Sequence, residues 1–219
     1  MPSMFRLDAS IAPQTSASRA LADLAASAWL ADTPEGSIVR RDIGTDPVPA
    51  GAWREAVTAG PVEPASWSDA QRAATRLAAT LTDELDAADA LLFAVPLYNF
   101  GVSQHFKTYV DLAMTDPRLA PGGASIIAGK PTVLVTVQGG NYAPGTPREG
   151  WDHSTDWLVR IVRDVWGTDL RVVSRSFTLV GVTPALDRFA DIADEMRATA
   201  EEQARAAGRA VAAGAAVTR

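Results

Sequence analysis

The sequence predicts an α/β protein built on a doubly wound, five-stranded parallel sheet with helices on both faces. Three observations carry that expectation. Two almost unbroken apolar runs, residues 90–95 and 131–137, suit strands that are covered on both sides. Apolar runs bounded by breakers alternate with longer stretches of helical period along the chain. Of the 219 residues, 47% are hydrophobic and 21% charged, enough apolar mass for a sizeable core.

Each element has its own signal. Residues 4–9 form a first apolar run that ends at Ser10. After a loop at 11–15, residues 16–30 are rich in Ala and Leu, with Leu21, Leu24 and Ala28 on one helical face. Residues 37–43 alternate as a second strand. Residues 44–64 hold several Pro and Gly around a short helical candidate at 53–58, and read as a surface excursion within the domain. Ser68 caps a helix over 69–87, with Asp69 in its first turn. The run 90–95 is the third strand, 102–114 a helix, and 131–137 the fourth strand. Residues 151–166 are amphipathic, 170–180 the last strand, and 184–212 a long terminal helix, with 212–219 expected to fray. No repeat period appears. The whole chain, 1–219, reads as one domain with a flavodoxin-type strand order, 2-1-3-4-5.

Composition narrows the function. Twenty Lys and Arg against 26 Asp and Glu give a net charge of −6, which argues against a nucleic-acid partner. The chain has no Cys, so disulfides, thiolate metal sites and Cys nucleophiles are all excluded; its two His, His105 and His153, do not make a His-rich metal centre. No apolar stretch is long enough for a membrane span, and the first residues do not read as a signal peptide, so a cytoplasmic location is expected.

In an open sheet of this kind ligands bind beyond the carboxyl ends of the strands. Three loops leave those ends. The first carries Ser10, Ser16 and Ser18 at a helix N-terminus, where hydroxyls, amides and partial positive charge suit a phosphate, although a plain Ser cap explains the same residues. Neither G-x-G-x-x-G nor a Walker sequence is present. The second, Pro96, Leu97, Tyr98, Asn99 and Phe100 followed by Gly101, sets two aromatics around an Asn and suits a flat heteroaromatic ring. The third is Gln138, Gly139 and Gly140 with Tyr142, where paired Gly allow close backbone approach to a ligand or simply a turn. Lys107 and Asp111, four apart on the intervening helix, read as a surface ion pair.

Taken together these segments resemble the FMN-dependent NAD(P)H azoreductases and quinone reductases. The resemblance runs over most of the chain. It rests on Asp8-Ala9-Ser10 with Ser16-Ala17-Ser18-Arg19, on Asp46-Pro47-Val48-Pro49, and on the specific stretch from Pro96 to Asp111. Gly129-Lys130 and Gly139-Gly140 around the fourth strand complete it. It implies that Ser10, Ser16 and Ser18 hold the FMN phosphate, that Pro96 to Phe100 lie along the isoalloxazine, and that Gly139 and Gly140 approach its pyrimidine side. It also implies hydride transfer from NADH or NADPH through FMN to a quinone, an azo compound or another electron-poor conjugated acceptor. Tyr142 or Asn99, or water, would assist as proton donor. The chain departs from the family pattern at Val137-Gln138, where Ser or Arg is common, at Tyr142, where His is common, and over 115–121. Gln138 offers the ring a neutral amide. Two alternatives stay open: a biosynthetic flavin reductase acting on a pathway intermediate, and a flavin-binding electron-transfer module without turnover. Of the six Trp, Trp53, Trp67, Trp151, Trp157 and Trp166 lie outside the predicted strands; they fit either helices packed onto the sheet or, as expected with the resemblance added, a homodimer with the acceptor pocket at its interface.

Overall fold

A computed structural model describes residues 1–217. The first apolar run is β1 (Ser3–Asp8), which pairs in parallel with β2 (Ser37–Asp42) on one side and β3 (Ala90–Tyr98) on the other. A two-residue strand, β4 (Gly101–Val102), folds back antiparallel on Leu97 and Tyr98. β5 (Pro131–Val137) joins β3 in parallel, and β6 (Asp169–Arg175) joins β5. The order is β2-β1-β3-β5-β6, which is the expected 2-1-3-4-5 once the short β4 is left uncounted.

The helices are α1 (Ala17–Asp32), α2 (Ala52–Ala59), α3 (Asp69–Ala87), α4 (Gln104–Ala113), α5 (Thr155–Val159) and α6 (Ala190–Val217). Alternation along the strands divides the core into two layers. Phe5, Leu7, Leu91, Phe93, Val95 and Leu134 face α3, α4 and α5, whereas Met4, Leu92, Ala94, Val133 and Val135 face α1 and α6. Small residues let α1 and α6 approach closely. A Cβ on Gly208 would lie 2.1 Å from the Ala25 carbonyl oxygen, so no side chain fits there. At the start of α3, Ser68 and Gln71 form a reciprocal capping box, 3.1 and 2.9 Å.

Several boundaries differ from the sequence reading. The helix expected from 102 begins at Gln104, because Val102 is already pairing back onto β3. The stretch 151–166 is helical only from Thr155 and continues as a π-helical turn, Arg160–Val165, in which the Trp166 amide reaches the Ile161 carbonyl. The strand expected over 170–180 stops at Arg175. Phe177 adopts φ 58°, and the chain leaves the sheet edge. Pro184–Phe189 forms a 3₁₀ turn before α6, which then runs on to Val217 rather than fraying from 212; the expected fraying of 218–219 lies outside the described residues. Among the described residues no helix is long and apolar enough to cross a membrane.

Candidate functional site

The carboxyl ends of β1, β3 and β5 lie side by side, with Asp8 level with Ala94 and Pro96 level with Val137. The three loops singled out in the sequence therefore share one edge of the sheet.

In the first loop the Ser16 hydroxyl caps α1 by accepting from the Arg19 amide at 3.2 Å, and lies 3.0 Å from the Ser18 hydroxyl. Ser10 and Ser18 are buried. This leaves the Ala17 and Ser18 amides at the positive helix end without an acceptor among the described residues. Arg19, itself buried, braces the loop from below. It donates twice to Asp42, at 2.5 and 2.7 Å, and once to the Ser10 carbonyl at 2.7 Å. Burial pushes the Asp42 carboxyl up, but the Arg19 and Thr45 contacts outweigh it and hold Asp42 below the usual carboxylate range. Gly44 closes the arrangement. A Cβ there would stand 2.0 Å from the Ser10 carbonyl oxygen.

The second loop is a hairpin turn. Pro96, Leu97 and Tyr98 remain in β3, and the turn itself is Asn99 and Phe100, with φ of 49° and 66°. Two left-handed central residues are what a tight hairpin of type I′ requires. Asn tolerates that conformation; Phe does so at a cost of roughly 1–3 kcal/mol. The strained residue is held by its neighbours. The Phe100 carbonyl accepts from the His153 amide at 2.9 Å, and its ring meets Tyr142 and Trp151 edge-on at 5.8 and 5.1 Å. Asn99 is exposed and Phe100 half-buried, so the ring is at the surface and outside both core layers. Tyr98 ties this loop to the first, its hydroxyl lying 3.3 Å from Ser10 Oγ and accepting from the Ile11 amide at 3.2 Å.

In the third loop the carbonyls of Gln138, Gly139 and Gly140 accept from Thr178, Leu179 and Phe177 as the chain after β6 runs past them. The Gln138 side chain is engaged at both ends: Nε2 donates to Asp152 at 2.5 Å and Oε1 accepts from Ser176 at 3.3 Å. Asp152 in turn accepts from the Ser154 and Thr155 amides at the start of α5. The Tyr142 ring folds against Gly140, with its hydroxyl 3.4 Å from where a Cβ would stand.

The structure thus gathers Ser10, Ser16, Ser18, Tyr98, Asn99, Phe100, Gln138, Gly139, Gly140 and Tyr142 on one edge. Lys107 and Asp111 lie apart from it as an i,i+4 ion pair, 2.5 Å, on α4. Of the Trp residues, Trp29 and Trp166 are core, while Trp53 and Trp151 are exposed. Sequence reasoning passed over Gly44, Asp152 and Arg148 as site residues, and took Trp151 for helix packing or a dimer interface. The turn-rich run Pro144-Gly145-Thr146-Pro147 ahead of Arg148 and Trp151 was the available signal for the last two.

A family model described as flavodoxin-like fold matches residues 3–204. Among curated relatives, the FMN-dependent NADH:quinone oxidoreductase of Frankia alni is 35% identical over 208 residues, covering 94% of this chain and 98% of the relative. The protein of the same name from Streptomyces coelicolor is 33% identical over 208 residues, 93% and 92% of the two chains. Among solved structures, the azoreductase from Bacillus anthracis str. Sterne superposes with a TM-score of 0.77 at 17% identity, covering 95% of this chain and 99% of that one, a likeness of fold. The FMN complex of an FMN-dependent NADH-azoreductase from Bacillus anthracis str. Ames Ancestor gives 0.69 at 16% identity, 92% and 97% of the chains.

Proposed function

We propose, from the premise that this chain belongs to the flavodoxin-like family matched above, that it is an FMN-dependent NADH:quinone oxidoreductase that also reduces azo compounds and similar electron-poor acceptors. The observation that carries the reading is the convergence of three loops of complementary chemistry on one sheet edge. The first loop fits a phosphate: three hydroxyls, two amides lacking acceptors and the positive end of a sixteen-residue helix. The second and third bring aromatic rings, Phe100 and Tyr142, and the glycine backbone at 139–140 to the same edge.

FMN supplies the redox chemistry when bound, taking hydride from NADH or NADPH and passing it to the acceptor. The balance is two electrons and one hydrogen from the nicotinamide, with a second proton needed to complete the hydroquinone. What the chain does is bind, orient and shield. Ser10, Ser16 and Ser18 hold the phosphate. Pro96, Leu97, Tyr98, Asn99 and Phe100 line the ring, and the β4 hairpin fixes their direction. Gly139 and Gly140 supply backbone, and Gln138 sets their position through Asp152 and Ser176 rather than by reaching the ring. The Tyr142 hydroxyl is the candidate proton donor, and the Asn99 amide donates a hydrogen bond to the flavin; water is the alternative source of the proton.

In this reading residues 1–219 act as one domain, in the cytoplasm, as a homodimer. Support for the dimer comes from the half-exposed Trp53 and Val57, which with Met114 and Thr115 line an open groove of about 370 Å³ between α2 and α4. Anaerobic titration of the purified flavoprotein with NADH tests the activity: the flavin absorbance should bleach and return on adding a quinone. Absence of bleaching with both NADH and NADPH would favour a carrier or binding module. Light scattering at micromolar concentration tests the dimer, which a monomeric mass overturns.

A further inference from the structure

Arg148 stands over the aromatic cluster of Phe100 and Trp151, and nothing above gives it a role. Its guanidinium carbon lies 6.0 Å from the centre of the Phe100 ring and 5.4 Å from that of Trp151. The side chain is exposed, and among the described residues no carboxylate pairs with it. The neighbouring acids are occupied elsewhere. Glu149 accepts from the Gly145 amide at 2.8 Å, and Asp152 is held by Gln138, Ser154 and Thr155. Among the described residues most of the other Lys and Arg are held in ion pairs; Arg148 shares with Arg188, whose guanidinium carbon lies 4.8 Å from the centre of the Phe189 ring, the arrangement of a guanidinium on an aromatic face with no carboxylate partner.

Its position is also built. The loop that carries it is tied to itself by the Ala143 amide on Asn141 Oδ1, the Thr146 amide on the Ala143 carbonyl and the Glu149 amide on the Thr146 carbonyl. The Gly150 amide returns to the Tyr142 carbonyl, and the Trp151 amide to that of Arg148 itself. The guanidinium is therefore carried on an ordered loop beside these rings, in the planar form that matches two oxygens of an acid group.

We propose that Arg148 is a specificity-determining residue that favours aromatic acceptors bearing an acid group, the acceptor ring lying against Phe100, Tyr142 and Trp151 and its carboxylate or sulfonate pairing with the guanidinium. The proposal rests on the oxidoreductase reading for its substrate class, and the test separates the two. The holoenzyme, with Arg148→Gln and Arg148→Lys variants, is assayed with NADH and either 1,4-naphthoquinone-2-sulfonate or the neutral 2-methyl-1,4-naphthoquinone. The expected result is a fall of about tenfold in the sulfonate-to-neutral ratio of kcat/KM for Arg148→Gln, most of it in KM, with Arg148→Lys retaining most of the preference. Binding of naphthalene-2-sulfonate, which cannot be reduced, is followed separately by quenching of Trp fluorescence. Its Kd should rise about tenfold in Arg148→Gln, and the wild-type value should weaken with added salt. An unchanged ratio and unchanged Kd in Arg148→Gln, or an Arg148→Lys variant as defective as Arg148→Gln, overturns the proposal. Arg148-dependent binding of the sulfonate without NADH oxidation in the presence of either quinone would instead refute the oxidoreductase reading, and with it the role of Arg148 in acceptor choice, leaving only the contact with an aromatic acid.

Discussion

Replacing Ser18 by Ala is the sharpest test of the phosphate loop. Ser18 is fully buried in the first turn of α1, and among the described residues its hydroxyl has one hydrogen-bond partner, Ser16 Oγ at 3.0 Å. Losing that neutral contact costs about 1 kcal/mol of stability at most. A hydrogen bond to a phosphate contributes more, roughly 1.5–3 kcal/mol, so FMN should bind about ten- to a hundredfold more weakly. Ser16→Ala is the informative companion. It removes the cap that accepts from Arg19 at 3.2 Å, so it should lose about 1 kcal/mol of folding stability as well as affinity. The assay is fluorescence titration of the apoprotein with FMN and, in parallel, with riboflavin, which has the same ring and no phosphate. Both variants should weaken FMN and leave riboflavin unchanged. Equal losses for both flavins would mean that the loop acts through the fold, and unchanged FMN affinity in Ser18→Ala would remove this loop from the site.

Three further outcomes follow from the geometry. Gly44→Ala sets a Cβ 2.0 Å from the Ser10 carbonyl that Arg19 also holds, so thermal unfolding should show a loss of about 1–3 kcal/mol or more, and FMN affinity should fall with it. Asp42→Asn should lower stability by about 1–3 kcal/mol at neutral pH, since it leaves Arg19 buried and half-paired. Because the folded Asp42 carboxyl lies below its ordinary value near 3.8, its contribution is present above that pH and lost as pH falls through the folded value, so urea melts of the two chains should converge below about pH 4. Phe100→Gly should relieve the left-handed strain at φ 66° and leave the melting temperature close to wild type, while slowing acceptor turnover in stopped-flow reoxidation; a sharply lower melting temperature with wild-type rates would make this turn structural.

What was legible in the sequence, and what was not, divides along a physical line. The central strands were readable because strands covered on both faces are predominantly apolar, and 131–137, with Thr132 and Thr136 as the polar members, are buried at all seven positions. Ser68 was readable because a cap is a local event, settled within one helical turn. The hairpin at Asn99 and Phe100 was not, because helical periodicity over 102–114 continues smoothly through Val102, and only pairing with Leu97 shows that the residue belongs to a strand. Gly44 was hidden for a similar reason: it looks like one more glycine in a polar excursion until β2 is laid beside β1 and the Ser10 carbonyl appears opposite it.

The same logic explains how the candidate site is held together. None of its three loops is fixed by its own sequence alone; each is fixed by a bond from another segment. Arg19 holds the Ser10 carbonyl, the Tyr98 hydroxyl bridges the first loop to the second, the His153 amide holds the Phe100 carbonyl, and Asp152 holds Gln138. Phe100 gives up roughly 1–3 kcal/mol of backbone preference to keep its ring among Tyr142, Trp151 and Arg148, and a bulky residue persists in that conformation only where its surroundings over-determine it. The half-buried ring of Phe100 and its carbonyl held from a second loop support the proposed role of this turn at a ligand surface. Strain alone would not, since Phe177 adopts a left-handed φ of 58° while buried and stacked on Phe189.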